Sequence, residues 1–438
     1  MHILLVADGR SPIARRWVQG ALALQHRITL VSTYPCADFR GVEQMLVLPV
    51  AFGNFAGSQV STPKPAANGN AAQRPAEPVT SPAALSNPAS TAGEPSGRRK
   101  LQRRFRSLFV SARYFAGPLT LLYYGPRFRR LVRQVQPDLV HALRIPFEGI
   151  LAAYTPPGIP FVVSIWGNDL TLHARRSESM ARLTRRALRR ADGLMADAQR
   201  DIRLGREWGF ALNRPALVVP GNGGLDLSEL RRKGADERNL LAGIPEDAPL
   251  VINPRGFRPG SVRTEVFFQS IPYVLQHRPD VHFLCPGMAG QSEATQWLEK
   301  LRLDSQVHLL PYLSQRELWD LFLRAAVTVS VSAHDGTPNS LLEAMGCGCF
   351  PVTGDIESLR EWLTPGVNGL LVDPEQPQAL AEAVLAALNR PELRASAAET
   401  NMRLVAERAE AGMVRAQIEV FYQRLAGART ITSDPNAH

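Results

Sequence analysis

Apolar runs of strand length alternate along this chain with stretches of helical spacing. The first run, Ile3-Leu4-Leu5-Val6-Ala7, is closed by Asp8 and Gly9. Successive apolar positions without polar alternation mark a strand buried on both faces of a parallel sheet. A helical pattern follows from Ile13 to about Gln25, and further strands are predicted at 28–32, 45–49, 138–142, 161–165, 194–196 and 216–220. A second set lies at 250–252, 281–285, 307–310, 327–331, 350–353 and 369–372, followed by helices rich in Ala, Glu, Leu and Arg. Strands alternating with helices predict doubly wound α/β sheets. The expected organisation is a first domain at 1–227, a connection at 228–248 and a second domain at 249–410. A last helix at 411–428, able to cross back to the first domain, and an unstructured tail at 429–438 complete it. Two such sheets imply a cleft facing the C-terminal ends of their strands.

The alternation breaks once, at 54–97, where Ala, Pro, Ser, Asn and Gly dominate. That composition buries too little apolar surface to order itself and reads as a disordered insertion. Residues 98–133 are basic with apolar residues interleaved, so a helix there either packs on the sheet or lies on an anionic bilayer. Arg175, Arg176, Arg182, Arg185, Arg186, Arg189 and Arg190 form a second basic cluster. The net charge of +10 comes almost wholly from arginine. It suits an anionic substrate or surface. Zinc-finger spacing and aromatic ribonucleoprotein patterns are absent, so nucleic acid is not expected. No run of eighteen apolar residues occurs, the N-terminus reads as a strand rather than a secretory signal, and the four cysteines form no disulfide framework. A reducing cytosol is the expected compartment. Cys347 and Cys349 lack a second ligand pair, so no metal site is expected.

The stretch richest in chemistry follows the run at 327–331. Asp335-Gly336-Thr337-Pro338-Asn339-Ser340-Leu341-Leu342-Glu343 reads as loop, then helix, with Thr337 as N-cap and Pro338 in the first turn. Free backbone amides at such a helix start suit an anion.

This block, continued by Ala344-Met345-Gly346, resembles the retaining glycosyltransferases of family 4, which have the GT-B fold. The family has two glutamates with seven residues between them; here Asp335 and Glu343 hold those places. Gly221-Asn222-Gly223-Gly224-Leu225-Asp226 is similar to its Asn-Gly-Val-Asp signature, Trp166-Gly167-Asn168-Asp169-Leu170 to its His-Gly-x-Asp region, and Gly366-Val367-Asn368-Gly369 to its late Gly-x-Asn-Gly turn. The resemblance implies two Rossmann-like domains facing a cleft and a nucleotide-diphosphate sugar as donor, with no bound metal. Arg255 matches the phosphate-binding arginine. The lysine usual a few residues on is missing, and Arg258 and Arg263 are the candidates, Arg263 favoured because Pro259 follows Arg258. Glu343 is expected on the ribose and Asp335 on the sugar. Backbone from Gly336 through Thr337, Pro338, Asn339, Ser340 and Leu341 to Leu342 is expected under the diphosphate. Tyr312 either neighbours the base or packs. On the acceptor side stand Gly9, Arg10 and Ser11, with His141 and Asp169 at two adjacent strand ends and His141 as candidate base; His173 and His334 are further possibilities. The implied catalytic set is Arg255, Arg263, Asp335, Glu343 and His141. The activity so implied moves a sugar onto a lipid-linked or cell-envelope glycan acceptor, peripheral to an anionic membrane. A nucleotide-sugar 2-epimerase and a non-catalytic sugar-binding protein share the architecture.

Overall fold

A computed structural model describes residues 1–55, 113–232, 240–303 and 305–432. The expected insertion at 54–97, but for its first two residues, and the basic stretch at 98–112 lie outside the described residues. Seven parallel strands form the first sheet: β1 (His2–Ala7), β2 (Arg27–Ser32), β3 (Gln44–Val47), β4 (Leu139–Ala142), β5 (Phe161–Ile165), β6 (Gly193–Ala196) and β7 (Ala216–Val218). Their order is β3-β2-β1-β4-β5-β6-β7. Six parallel strands form the second: β8 (Leu250–Ile252), β9 (His282–Cys285), β10 (Val307–Leu309), β11 (Val327–Ser330), β12 (Phe350–Gly354) and β13 (Leu370–Val372), in the order β10-β9-β8-β11-β12-β13. Strand order reverses direction between β1 and β4 in one sheet and between β8 and β11 in the other. Loops leaving the strand ends at these reversals diverge and open a crevice. They carry Asp8 to Ser11, Arg144, Arg255 and Asp335.

The helices used below are α1 (Pro12–Ala23), α2 (Thr120–Val135), α3 (Glu178–Arg190), α4 (Gln199–Glu207), α5 (Thr264–His277), α6 (Gln315–Arg324), α7 (Asn339–Gly346) and α8 (Ala411–Thr432). Each sheet is sandwiched between apolar helix faces. Phe128 and Val132 of α2 pack on one side of the first sheet, Trp17 and Val18 of α1 on the other. In the second domain Phe267, Phe268 and Ile271 of α5 join Val327 and Val329. The chain returns to the first domain through α8, whose Ile418, Phe421, Tyr422 and Leu425 share a core with Ile3, Leu5 and Leu139.

That return overturns one expectation. His141 does not face the cleft. Its side chain is fully buried, with Nδ1 2.6 Å from the Tyr422 hydroxyl and Nε2 2.8 Å from Ser164 Oγ. Burial pushes its pKa down to about 3, so the ring is neutral and both nitrogens are engaged. Side chains alternate across a strand, and His141 falls on the face that α8 covers. It is a core histidine that helps dock the last helix.

The arginines at 175–190 are mostly engaged. Arg182 pairs with Glu178 and Arg190 with Asp192, while Arg185 stacks on Trp208 and Arg186 on Tyr154.

Candidate active site between the two sheets

The two sheets face each other across a cleft of about 610 Å³. One wall comes from the loops after β8 and β11. Asn253 Oδ1 accepts from the Arg255 backbone N–H at 3.1 Å, an Asx turn that bends the chain directly after β8. Arg255 thereby enters the cleft, where its guanidinium pairs with Asp335; its side chain is 9% exposed and its Nε is buried without a partner. Ser332 Oγ donates to the same carboxylate at 3.2 Å. Arg258 lies beside Arg255, donating from Nε to the Arg255 carbonyl at 3.1 Å. The neighbouring Arg255 charge, then burial, pushes the Arg258 pKa down to about 10. Two guanidiniums and the Asp335 carboxylate thus meet at the exits of β8 and β11, and both arginines line the cleft.

Arg263 does not. Its backbone N–H donates to Val331 O at 2.8 Å, its neighbour Val262 bridges antiparallel to Ser332, and its Nε donates to Glu375 at 2.5 Å. The chain has turned back along β11 by this point, which carries Arg263 out of the cleft to the start of α5. Arg258, not Arg263, stands beside Arg255.

Helix α7 starts at Asn339 with Pro338 as N-cap. Thr337 is therefore not the cap. Its hydroxyl donates across the domain seam to the Asp197 carbonyl and accepts from Trp362 Nε1 at 2.9 Å. Pro338, Asn339 and Ser340 line the cleft, and the Ser340 hydroxyl is buried without a partner. Gly336 is buried, and Leu341 and Leu342 point into the core. Glu343 is 6% exposed and accepts from Gln315 Nε2 at 2.9 Å; Gln315 in turn accepts from Arg16 of α1. Burial raises the Glu343 carboxyl pKa, opposed by Arg16 and by the Gln315 hydrogen bond. The first domain thus reaches across to hold the carboxylate of the second. Tyr312 is 84% exposed and lies outside the cleft lining.

The facing wall comes from the first sheet. Asp169 is fully buried: Oδ1 accepts from Arg144 Nε at 2.8 Å and Oδ2 from the Trp166 backbone N–H at 3.0 Å. Arg144 also donates to Asn168 Oδ1 at 2.9 Å. Asp169 is therefore a positioning residue that aims Arg144 and shapes the 166–168 loop, rather than a group facing the acceptor. Arg10 and Ser11 line a neighbouring cavity, while Gly9 is packed beneath it, its N–H donating to Ser32 Oγ at 3.1 Å. A side chain at Gly9 would overlap Cys36.

Three cleft residues escaped the sequence reading. Trp166 takes the first position of the His-Gly-x-Asp-like motif and borders both cavities, so the motif itself was the available signal. Arg144 carried none. Asp197, after β6, carried none either, and is the most unusual group in the cleft. Its Oδ1 is buried without a partner. Burial, then Asp201, then Asp335 push its pKa well above the usual carboxylate range, with Arg200 opposing. Asp201 is pushed up to about 6, by burial first, again against Arg200. One proton held by Asp197 and directed at Asp201 relieves both.

The pH consequence has a definite sign. Both pKa values are raised by folding, so the protonated pair contributes stability that is complete below about pH 4, the unfolded aspartate value. That contribution is lost as pH rises through the folded values, for Asp201 about 6. Asp197→Asn keeps the shape and a donor but cannot ionise. It is expected to melt a few degrees above the native protein near pH 7 and level with it near pH 4, in thermal melts across that range. A constant offset at every pH would contradict the shared proton.

Among the described residues no group of three or more potential metal ligands gathers, and no helix is long and apolar enough to cross a membrane.

Two parallel sheets with their strand-order reversals facing one cleft define the GT-B glycosyltransferase fold. The HepE protein of Anabaena, solved in complex with UDP, superposes with a TM-score of 0.65 over 97% of this chain and 100% of that one, at 16% identity. The chain belongs to glycosyltransferase family 4: residues 9–222 match the "Glycosyl transferase 4-like domain" and residues 243–403 "Glycosyl transferases group 1". Among named relatives, D-inositol 3-phosphate glycosyltransferase of Streptosporangium roseum is 27% identical over 197 residues, covering 43% of this chain and 44% of that protein. Phosphatidyl-myo-inositol mannosyltransferase of Mycolicibacterium smegmatis is 25% identical over 230 residues, covering 51% and 56%. The chain spans about half the length of the curated relatives it matches.

Proposed function

We propose that this protein transfers a sugar, with retention, from a nucleotide-diphosphate donor to a hydroxyl of a lipid-linked or envelope glycan acceptor. The observation that carries this is the presence of Arg255 and Arg258 at the β8 exit and of Glu343 of α7 in the lining of one cleft. Breaking the glycosidic bond leaves negative charge on the diphosphate, and preplaced guanidiniums stabilise that charge as it develops. In this reading Arg255 and Arg258 take the diphosphate, with the free amides of Asn339 and Ser340 beneath it. Glu343 takes the ribose hydroxyls, and Asp335 meets the sugar. Tyr312 is left at the edge for the base. A relative named for phosphatidyl-inositol and a solved neighbour holding UDP support the two substrate classes.

A lipid-linked acceptor would bring the first domain to an anionic membrane surface. Phe115, Leu119, Leu122 and Tyr123 support this: they are 54–74% exposed at helical spacing into α2, beside its arginines. Flotation with phosphatidylglycerol vesicles, lost at high salt, would bear it out; no flotation at low salt would remove it.

Nucleoside diphosphate release from a panel of nucleotide sugars, with and without glycan and glycolipid acceptors, tests the reaction. Acceptor-dependent release is expected. Glu343→Ala is expected to raise donor KM about tenfold to a hundredfold, the cost of hydrogen bonds to a charged group. Product formed from the donor alone would point to an epimerase. Donor binding by calorimetry without any turnover would point to a non-catalytic binder.

A further inference from the structure

A separate pocket of about 600 Å³ lies at the pivot of the two domains. The chain crosses between the domains near 222–226 and again near 409–411, and the crossings are laced together. Leu225 N–H donates to the Ala409 carbonyl at 2.7 Å, and Ala411 N–H to the Leu225 carbonyl at 2.9 Å. Both crossings enter the pocket's lining. From the first domain α1 adds Arg16, Trp17 and Gly20; from the second α6 adds Gln315 and Trp319. A ligand here touches both domains, and neither domain alone forms the site.

Three of these residues also act on Glu343 in the cleft. Arg16 donates to Gln315 Oε1, and Gln315 Nε2 donates to Glu343 at 2.9 Å. Burial raises the Glu343 pKa; Arg16 first, then Gln315 and Trp319, oppose it. One wall of the pocket is therefore the back of the support that holds Glu343.

The lining selects its ligand. Trp17, Leu24, Leu225, Trp319 and Ile418 supply apolar surface. The charges balance among the described residues: Arg16, Arg232, Arg316 and Arg415 stand in or beside the lining with Asp226, Glu229, Asp320 and Glu343. Arg316 is bound by Asp320 at 2.7 Å and Arg232 by Glu229 at 2.9 Å, while Asp226 accepts from the Ser228 and Glu229 backbone N–H groups. No surplus charge is left for an ion, and burying an unmatched one is costly. A neutral donor is left over. Asn222 lines the pocket and is 2% exposed; its Oδ1 accepts from Gly224 N–H at 3.1 Å, and its Nδ2 is buried without a partner. Apolar walls with a single placed donor suit an apolar body that carries one oxygen acceptor.

We propose that this pocket binds an uncharged, largely apolar ligand with an oxygen acceptor, and that the bound ligand regulates donor affinity through Glu343. The binding half stands apart from the transferase reading; the regulatory half rests on it. Both walls are present only in the domain arrangement described above, so the ligand favours that arrangement. The same arrangement holds the Arg16–Gln315–Glu343 chain together, so occupancy of the pocket and of the donor site reinforce each other.

The uncharged naphthyl ketone prodan is a suitable probe, since its emission moves to the blue on leaving water. It is expected to bind once per chain, at least about tenfold tighter than the anion anilinonaphthalene sulfonate. Absence of saturable binding would overturn the site, and equal or tighter binding of the anion would overturn the ligand class. Gly20→Leu fills the pocket and is expected to abolish the signal. A Cβ at Gly20 meets nothing nearer than Arg415 Cδ at 4.0 Å, and its φ is not positive, so α1 accepts the change. A signal that survives Gly20→Leu would place the probe elsewhere and overturn the assignment. Should that variant fail to fold, Ala23→Phe, at an exposed position of the lining, decides it. Asn222→Asp keeps an acceptor for Gly224 and removes the donor; prodan is expected to bind it about tenfold more weakly, and unchanged binding would remove the acceptor from the proposal. Calorimetry with UDP tests the regulation. Saturating prodan is expected to tighten UDP about fivefold or more, with the reciprocal gain for prodan, and Gly20→Leu is expected to remove the response. Prodan binding without any change in UDP affinity would overturn the regulatory half. Failure of UDP to bind at all would sink the donor reading instead, and prodan alone would then judge the pocket.

Discussion

Arg255→Ala is expected to lower turnover by about 10²–10³-fold, the range found when one preplaced donor to a developing anion is removed. Arg255 is placed by the Asn253 turn at the end of β8 and points into the cleft, where Asp335 binds it. Removing it has two consequences. The leaving diphosphate loses its stabilising charge, which lowers kcat. The Asp335 carboxylate loses its partner and repels the donor, which raises KM. The two can be separated. Asp335→Asn combined with Arg255→Ala is expected to recover donor KM but not kcat, because it removes the repulsion without restoring the stabilisation. Residues in direct contact are non-additive in this way. Steady-state kinetics on the single and double variants provides the check. A kcat within about threefold of native for Arg255→Ala would remove this arginine from the reacting centre.

Gly167→Ala is expected to abolish at least about 99% of activity while leaving each domain folded, since a displacement of about 1 Å at a reacting centre can cost a hundredfold. Gly167, after β5, meets Gly336, after β11, backbone to backbone. A methyl group on Gly167 would overlap the Gly336 amide nitrogen. The φ of Gly167 is not positive, so alanine is acceptable to its own loop. Only the opposite domain forbids it. Backbone cannot yield as a flexible side chain does, so the domains must separate. Opening the seam breaks the hydrogen bonds from the Gln199 and Arg200 backbone N–H groups to Glu361, at 2.7 and 2.9 Å, and from Arg203 to Glu357, at 2.8 Å. Small-angle scattering is expected to show a wider particle, with the melting temperature changed by only a few degrees. An active Gly167→Ala protein would mean that this close approach is not the reacting arrangement.

Much of the fold was legible because buried parallel strands announce themselves as uninterrupted apolar runs. Each of the thirteen strands falls within a residue or two of a run in the sequence. The second sheet's wall of the cleft was legible for a related reason: Arg255, Asp335 and Glu343 occupy positions fixed relative to a strand end or a helix start. Arg258 and Arg263 could not be ranked in this way. Five residues apart in one loop, they are separated by a chain reversal held by Val262 and Ser332, seventy residues away in sequence. His141 misled because a strand-end histidine looks the same whether its face meets solvent or a helix. The helix that covers it arrives 281 residues later.

Local patterning sufficed for the two sheets, their parallel sense, the cleft between them and the residues at the strand ends of its second-domain wall. These follow from local periodicity and from loop and cap chemistry, which act within a few residues. Only the tertiary structure decided which arginine stands beside Arg255, that His141 belongs to the core, that Asp169 acts through Arg144, and that Asp197 and Trp166 face cavities at all. Each of those depends on a charge, a burial or a clash between segments more than twenty residues apart. In such cases the energy is set by distance and dielectric in space, and position along the chain carries no trace of either.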